Sequence, residues 1–227
     1  MQSNGSGYVF VDKRDAGLTA NVILRKTYFL LSLTILFSAI TAISTLMGFI
    51  PVVSPGITLV GIFGLMFLTQ ALSNTKWALL SVFAFTGFMG CSLAPLLAYY
   101  LTQYTNGAEI IGVSLIGTGV IFTALSLYTI ISRKDFSYMA GFLFVAICVA
   151  FLASVVSIFV QIEIISLLVS CAFILISSGL ILFRTSQIIK GGEDNYIMAT
   201  IALYVSIFNL LVSLLRILSF FGGSRRN

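Results

Sequence analysis

Seven apolar runs follow one another from residue 27 to residue 221, each about the length that carries a helix across a bilayer, with only short polar breaks between them. They occupy roughly residues 27–50, 55–73, 77–101, 109–132, 138–160, 163–183 and 197–221. A helix needs about 20 apolar residues to cross roughly 30 Å of hydrocarbon. Inside that layer its backbone groups must be satisfied within the segment, which leaves helices or closed barrels as the only spanning forms. Runs this long and this continuous suit helices. Charged residues make up 8% of the chain and the mean hydropathy is +1.11, whereas a soluble domain carries about 25% charged residues. Too little charge is present to cover a water-facing surface. The expected fold is an all-α integral membrane protein with seven transmembrane helices in one domain.

The breaks carry the topology. Pro51 and Pro55 punctuate the first; Ser73, Asn74 and Lys76 the second; Asn106 and Gly107 the third; Arg133, Lys134 and Asp135 the fourth. Gln161 and Glu163 make a tight fifth, and the longest internal loop is read from Arg184 to Asn195. With the N-terminus inside, Lys13, Arg14, Arg25, Lys26, Lys76, Arg133, Lys134, Arg184 and Lys190 all fall on the cytoplasmic side, and the first three outer loops carry no lysine or arginine. This is the asymmetry that orients membrane proteins, and it accounts for the net charge of +5 without any nucleic-acid partner. Seven full crossings place the C-terminus, with Arg225 and Arg226, in the periplasm. A re-entrant last segment would keep those arginines inside, but residues 197–221 are long and apolar enough to cross. The organisation expected is a flexible cytoplasmic tail over 1–24, a seven-helix domain over 25–222 and a short basic tail over 223–227. The first apolar run is span-length and lacks a small-residue cleavage pattern, so it reads as a span and not as a cleaved leader.

Chemistry is conspicuous by residue type. The chain has no histidine, the commonest general base and metal ligand. Cys91, Cys148 and Cys171 are scattered inside apolar runs, and Glu109 and Glu163 sit at span ends. Intramembrane serine and aspartyl proteases, zinc sites and phosphate loops all lack their required residues, so neither an enzyme nor a cofactor is expected. Two features stand out instead. In the third run Thr86, Gly87, Gly90 and Pro95 combine small residues, which let helices approach closely, with a proline that removes a backbone donor; Thr86 and Ser92 are candidates to cover the freed group. Pairs such as Gly61 and Gly64, or Gly112 and Gly117, read as further packing positions. In the last run Ser206, Asn209, Ser213 and Arg216 recur at three, four and three residues and so share one helical face. Such a stripe either lines a polar cavity or makes interhelical hydrogen bonds, with Arg216 reaching toward the interface.

Three longer stretches carry a resemblance. FAFTGFMGCSLAPLL (83–97) resembles the third-helix signature of the Bax inhibitor, or transmembrane Bax-inhibitor-motif, family, and residues 181–218 resemble that family's sixth helix, loop and seventh helix. The opening RKTYFLLSLTILFSAITA (25–42) and SRKDFSYMAGFLF (132–144) are similar to its bacterial YccA-like subgroup. The resemblance implies six helices surrounding a central last one, in a bacterial inner membrane. It also implies a modulator, and slow substrate, of the membrane AAA protease FtsH, gripped through the cytoplasmic tail that begins Met1, Gln2, Ser3, Asn4, Gly5. Other family members are proposed calcium leak channels gated by an aspartate pair. The matching positions here are Arg184 and Ser206, which cannot share a proton as two carboxylates do, so a leak channel is the alternative reading.

Overall fold

A computed structural model describes residues 13–160 and 162–224. It contains seven α-helices: α1 (Lys13–Leu46), α2 (Pro55–Leu72), α3 (Ala78–Gln103), α4 (Gly107–Ser132), α5 (Ala140–Val160), α6 (Glu163–Lys190) and α7 (Tyr196–Gly222), with one 3₁₀ turn at Ser137–Met139. Six of them are long and apolar enough to cross a membrane, and α2 supplies a shorter apolar helix over Gly56–Leu72. The chain is an all-helical, multi-span membrane protein.

Local chemistry sets the helix ends. Pro55 opens α2 at its first turn, where a missing amide donor costs nothing. The Asn195 side chain accepts from the amides of Ile197 and Met198 at 2.9 and 3.4 Å and so caps α7. Gly191, at φ +73°, stops α6 in the left-handed conformation that favours glycine. The Gly192 amide then donates to the Gln187 carbonyl at 2.9 Å, closing the last turn.

Helix α7 is the centre. It packs on α1, α3, α4 and α6, while α2 packs mainly on α3 and α5 mainly on α6. Leu203, Leu210 and Leu215 of α7 are fully buried. The helix ends fall on two faces. Asn195 Nδ2 donates to Asn74 Oδ1 at 3.0 Å and joins the α6–α7 turn to the α2–α3 turn. Ser186 accepts from the Phe136 amide and donates to the Lys134 carbonyl, both at 3.1 Å, which fixes the α4–α5 turn to the same face. Lys26, Lys76, Arg133, Lys134 and Lys190 all lie toward this basic face. On the opposite face Asn106 Nδ2 donates to the Gly222 carbonyl at 2.8 Å, so α7 runs the full depth of the bundle instead of turning back.

Two boundaries differ from the sequence reading. Helix α1 begins at Lys13, so the loosely held tail does not extend to residue 24; its first residues, 1–12, lie outside the described segment. Ala20 and Ile23 are buried, which gives this stretch a packing reason to be helical. Likewise α6 continues to Lys190 and the loop shrinks to residues 191–195. Thr185 and Ile188 are fully buried, and a polar TSQ step does not end a helix whose apolar face continues.

Candidate functional site

The central helix meets its neighbours through a polar seam. Ser38 of α1 lies 2.6 Å from the Tyr204 hydroxyl of α7, which also donates to the Thr86 carbonyl of α3 at 3.3 Å. Thr41 donates to the Gly87 carbonyl at 3.0 Å. The seam exists because α1 and α3 touch backbone to backbone. A Cβ on Gly90 would collide with the Ser38 carbonyl and the Thr41 hydroxyl, and one on Gly87 with the Phe37 ring. Thr86 and Gly90 therefore work as packing residues that bring three helices together around one phenol. Periodicity did not single out Tyr204, although Tyr196, Thr200 and Tyr204 recur every four residues on α7.

Pro95 lies within α3. Thr86 donates to the Val82 carbonyl at 2.9 Å and Ser92 to that of Met89 at 2.7 Å. Neither covers the Cys91 carbonyl, the group an amide at position 95 would have bonded, so their expected compensation for the proline is not what they do.

The Ser206–Asn209–Ser213–Arg216 stripe divides. Ser206 is buried and donates to the Ala202 carbonyl of its own helix at 2.8 Å; Ser213 is buried and Asn209 half-buried. Only Arg216 reaches a cavity, of about 590 Å³, among the outer ends of α3, α6 and α7. Its walls include Tyr99, Tyr100, Tyr104, Glu163, Ser166 and Ser219. Tyr100 sits beside Ser219 and within electrostatic reach of Arg216. The three tyrosine rings form a cluster with centroids 5.6–6.4 Å apart. The stripe is thus mostly helix packing, with one cavity residue at its end. Glu163 belongs with Arg216 because antiparallel α6 and α7 bring the start of one to the end of the other.

On the basic face, Arg184 Nη1 lies 3.6 Å from Glu193 Oε2, and its guanidinium stands 5.5 Å from the Phe183 ring centroid. Its Nε is buried without a partner. Arg184 is thus an ion-paired arginine, and Ser206 a hydroxyl bonded to its own helix. Among the described residues no three of His, Cys, Asp and Glu converge. The arrangement offers binding surfaces and rigid packing.

Comparison with known proteins matches residues 20–223 to the family model described as inhibitor of apoptosis-promoting Bax1. The chain is 48% identical to the modulator of FtsH protease YccA of Escherichia coli (strain K12), over 91% of this chain and 94% of that protein. It is 46% identical to an uncharacterised Pseudomonas aeruginosa protein, over 88% and 90% of the two chains. With an uncharacterised membrane protein of Vibrio cholerae the identity is 43%, again over 88% and 90%.

Proposed function

This chain belongs to the Bax inhibitor family, and on that premise we propose that it modulates the membrane protease FtsH from within a bacterial inner membrane. The observation that carries the reading is identity of 48% along nearly the whole of both chains with a protein named for that role. The match leaves no large segment of either chain uncovered, so the two share the whole of this fold. The role is regulatory and non-enzymatic, which fits a seam made of packing contacts between helices. The N-terminus and the basic face lie in the cytoplasm, as the lysine and arginine distribution requires, and the C-terminus lies in the periplasm. The segment before Lys13 is the part the protease grips.

Nothing in the arrangement favours the leak-channel reading. Arg184 is held by Glu193 and Ser206 by Ala202, and an arginine at the mouth repels a divalent cation. The proposal is tested by crosslinking the tagged full-length protein in native membranes and purifying it under denaturing conditions. Recovery of FtsH above an unrelated seven-helix control is expected; its absence across crosslinkers of several lengths would overturn the reading.

A further inference from the structure

We infer that the cavity at the outer end of the bundle binds the headgroup of an amine-bearing zwitterionic phospholipid, with Arg216 on the phosphate and Glu163 on the ammonium. The cavity measures about 590 Å³, within the range of roughly 300–1,000 Å³ typical of ligand pockets. Both signs of charge line it, together with Tyr99, Tyr100 and Tyr104. Arg216 is six residues from the end of α7, about 9 Å at 1.5 Å per residue, and Glu163 is the first residue of α6. Both therefore lie toward the outer ends of their helices, where a headgroup layer would meet the bundle. Tyrosines are the side chains that populate this layer. Leu96, Leu167 and Phe220 complete the wall and give the first carbons of an acyl chain an apolar surface to follow.

Charge decides between headgroups. A guanidinium binds a phosphate with two parallel donors, and a single one suits a single phosphodiester. A purely anionic headgroup would bring its charge against Glu163, whereas an ethanolamine ammonium is attracted to it. The rim is already built before any ligand arrives. Asn106 Nδ2 donates to the Gly222 carbonyl, the Ser224 amide donates to Asn106 Oδ1 at 3.0 Å, and the Thr105 amide donates to the Ser224 carbonyl at 2.8 Å. Those three bonds hold the end of α7 against the α3–α4 turn. Little ordering remains for the ligand to impose, which favours affinity.

The test uses the full-length protein, delipidated in detergent, titrated with dihexanoyl-phosphatidylethanolamine, dihexanoyl-phosphatidylglycerol and soluble glycerophosphoethanolamine, with thermal unfolding and native mass spectrometry as readouts. The ethanolamine lipid should bind saturably and raise Tm by roughly 5 °C at about a hundred times its Kd. Arg216→Gln should weaken it about tenfold. Glu163→Gln should abolish the preference over the glycerol lipid while leaving the fold intact, which keeps the assignment testable if the arginine variant does not fold. Equal affinity of the wild type for the two lipids would overturn the assignment, as would unchanged affinity in Arg216→Gln. Glycerophosphoethanolamine binding as tightly as the lipid would also overturn it, because the ligand would then be a soluble zwitterion.

Discussion

Ser38 and Tyr204, 166 positions apart in the chain, share a hydrogen bond of 2.6 Å at the point where α1, α3 and α7 converge. Both side chains are almost completely removed from solvent. The phenol donates onward to the Thr86 carbonyl, and its ring stands edge-on to Phe85 with centroids 6.3 Å apart. Loss of the phenol leaves the Ser38 hydroxyl to bond its own helix, and loss of Ser38 leaves the phenol on the Thr86 carbonyl of α3, so each single loss is partly compensated. Tyr204→Phe should keep the ring packing and cost about 1 kcal/mol, in the range measured for hydrogen bonds between membrane helices. Ser38→Ala should cost less, and the double variant should cost less than the sum of the two. Unfolding of reconstituted protein by mixed-micelle titration reads all three, and strict additivity would show that the pair does not act as a unit.

Gly90→Ala should destabilise more than any other single glycine-to-alanine change in α2 and α3. The new methyl meets the Ser38 carbonyl and the Thr41 hydroxyl, and the carbonyl belongs to a helix that must shift as a body. Overpacking of this kind costs about 1–3 kcal/mol. Gly64→Ala is the control, since nothing lies within 4 Å of its Cβ position. Equal stability of the two variants in the same titration would mean that α1 and α3 are not closely apposed.

The α4–α5 turn should loosen only in acid. Asp135 accepts from the Ser137 amide at 2.8 Å, and the Ser137 side chain and amide, with a smaller contribution from Lys190, hold its carboxyl below the usual carboxylate range. A carboxyl lowered in the folded state stabilises above its ordinary pKa, near 3.9. That contribution is lost as pH falls from there through the folded value. Amide exchange at residues 137–139 should therefore be flat from pH 8 to pH 5, after correction for intrinsic rates, and rise below about pH 4. Asp135→Ala should show the raised exchange at neutral pH. A wild-type transition near pH 6 would refute the assignment.

Calcium flux through proteoliposomes should be weak and should not change between pH 6 and pH 8. Arg184 is paired with Glu193 and Ser206 carries no carboxyl, so the pair of acids that can share a proton is missing here. Arg184→Asp combined with Ser206→Asp restores two acids and should introduce pH dependence if the wild-type arginine is what suppresses it. A large acid-gated flux in the unmodified protein would favour the channel reading over the modulator reading.

Removing residues 1–12 should lengthen the protein's lifetime in cells that contain FtsH without changing its insertion. The cut is placed before Lys13 because α1 starts there and Ala20 is already buried; a longer deletion would remove packing as well as the handle. Pulse-chase comparison in cells with and without the protease measures the effect. Equal clearance of the two forms would remove the tail from the mechanism.

The helices were legible because hydropathy integrates over about 20 residues, and six of the seven runs exceed that length while 55–73 falls just short of it. Their ends were less so. Residues such as Thr185, Ser186 and Gln187 are polar in a list and yet continue α6, since Ser186 and Gln187 bond across to the α4–α5 turn. The small-residue reading held where a neighbour is pressed against the glycine, as at Gly61, Gly87 and Gly90, but Gly64 and Gly112 face open space. Spacing alone cannot tell these apart, because it describes one helix and packing needs two. The same limit hid Tyr204, which counts as apolar until its partner on α1 is known, and the outer cavity, whose charged residues come from the first turn of α6 and the last turns of α7.

The helix that fills the centre of the bundle also follows the six others in chain order. Until it inserts, α1, α3, α4 and α6 surround a space with no filling. Ser38, the Thr86 carbonyl and the Thr27 carbonyl, which accepts from Thr200 at 3.4 Å, then have no α7 partner inside the membrane. A chain stalled before residue 196 is therefore an assembled shell with polar groups turned inward to lipid or trapped water. Insertion of α7, and not of any helix before it, is the event that commits this bundle to its fold.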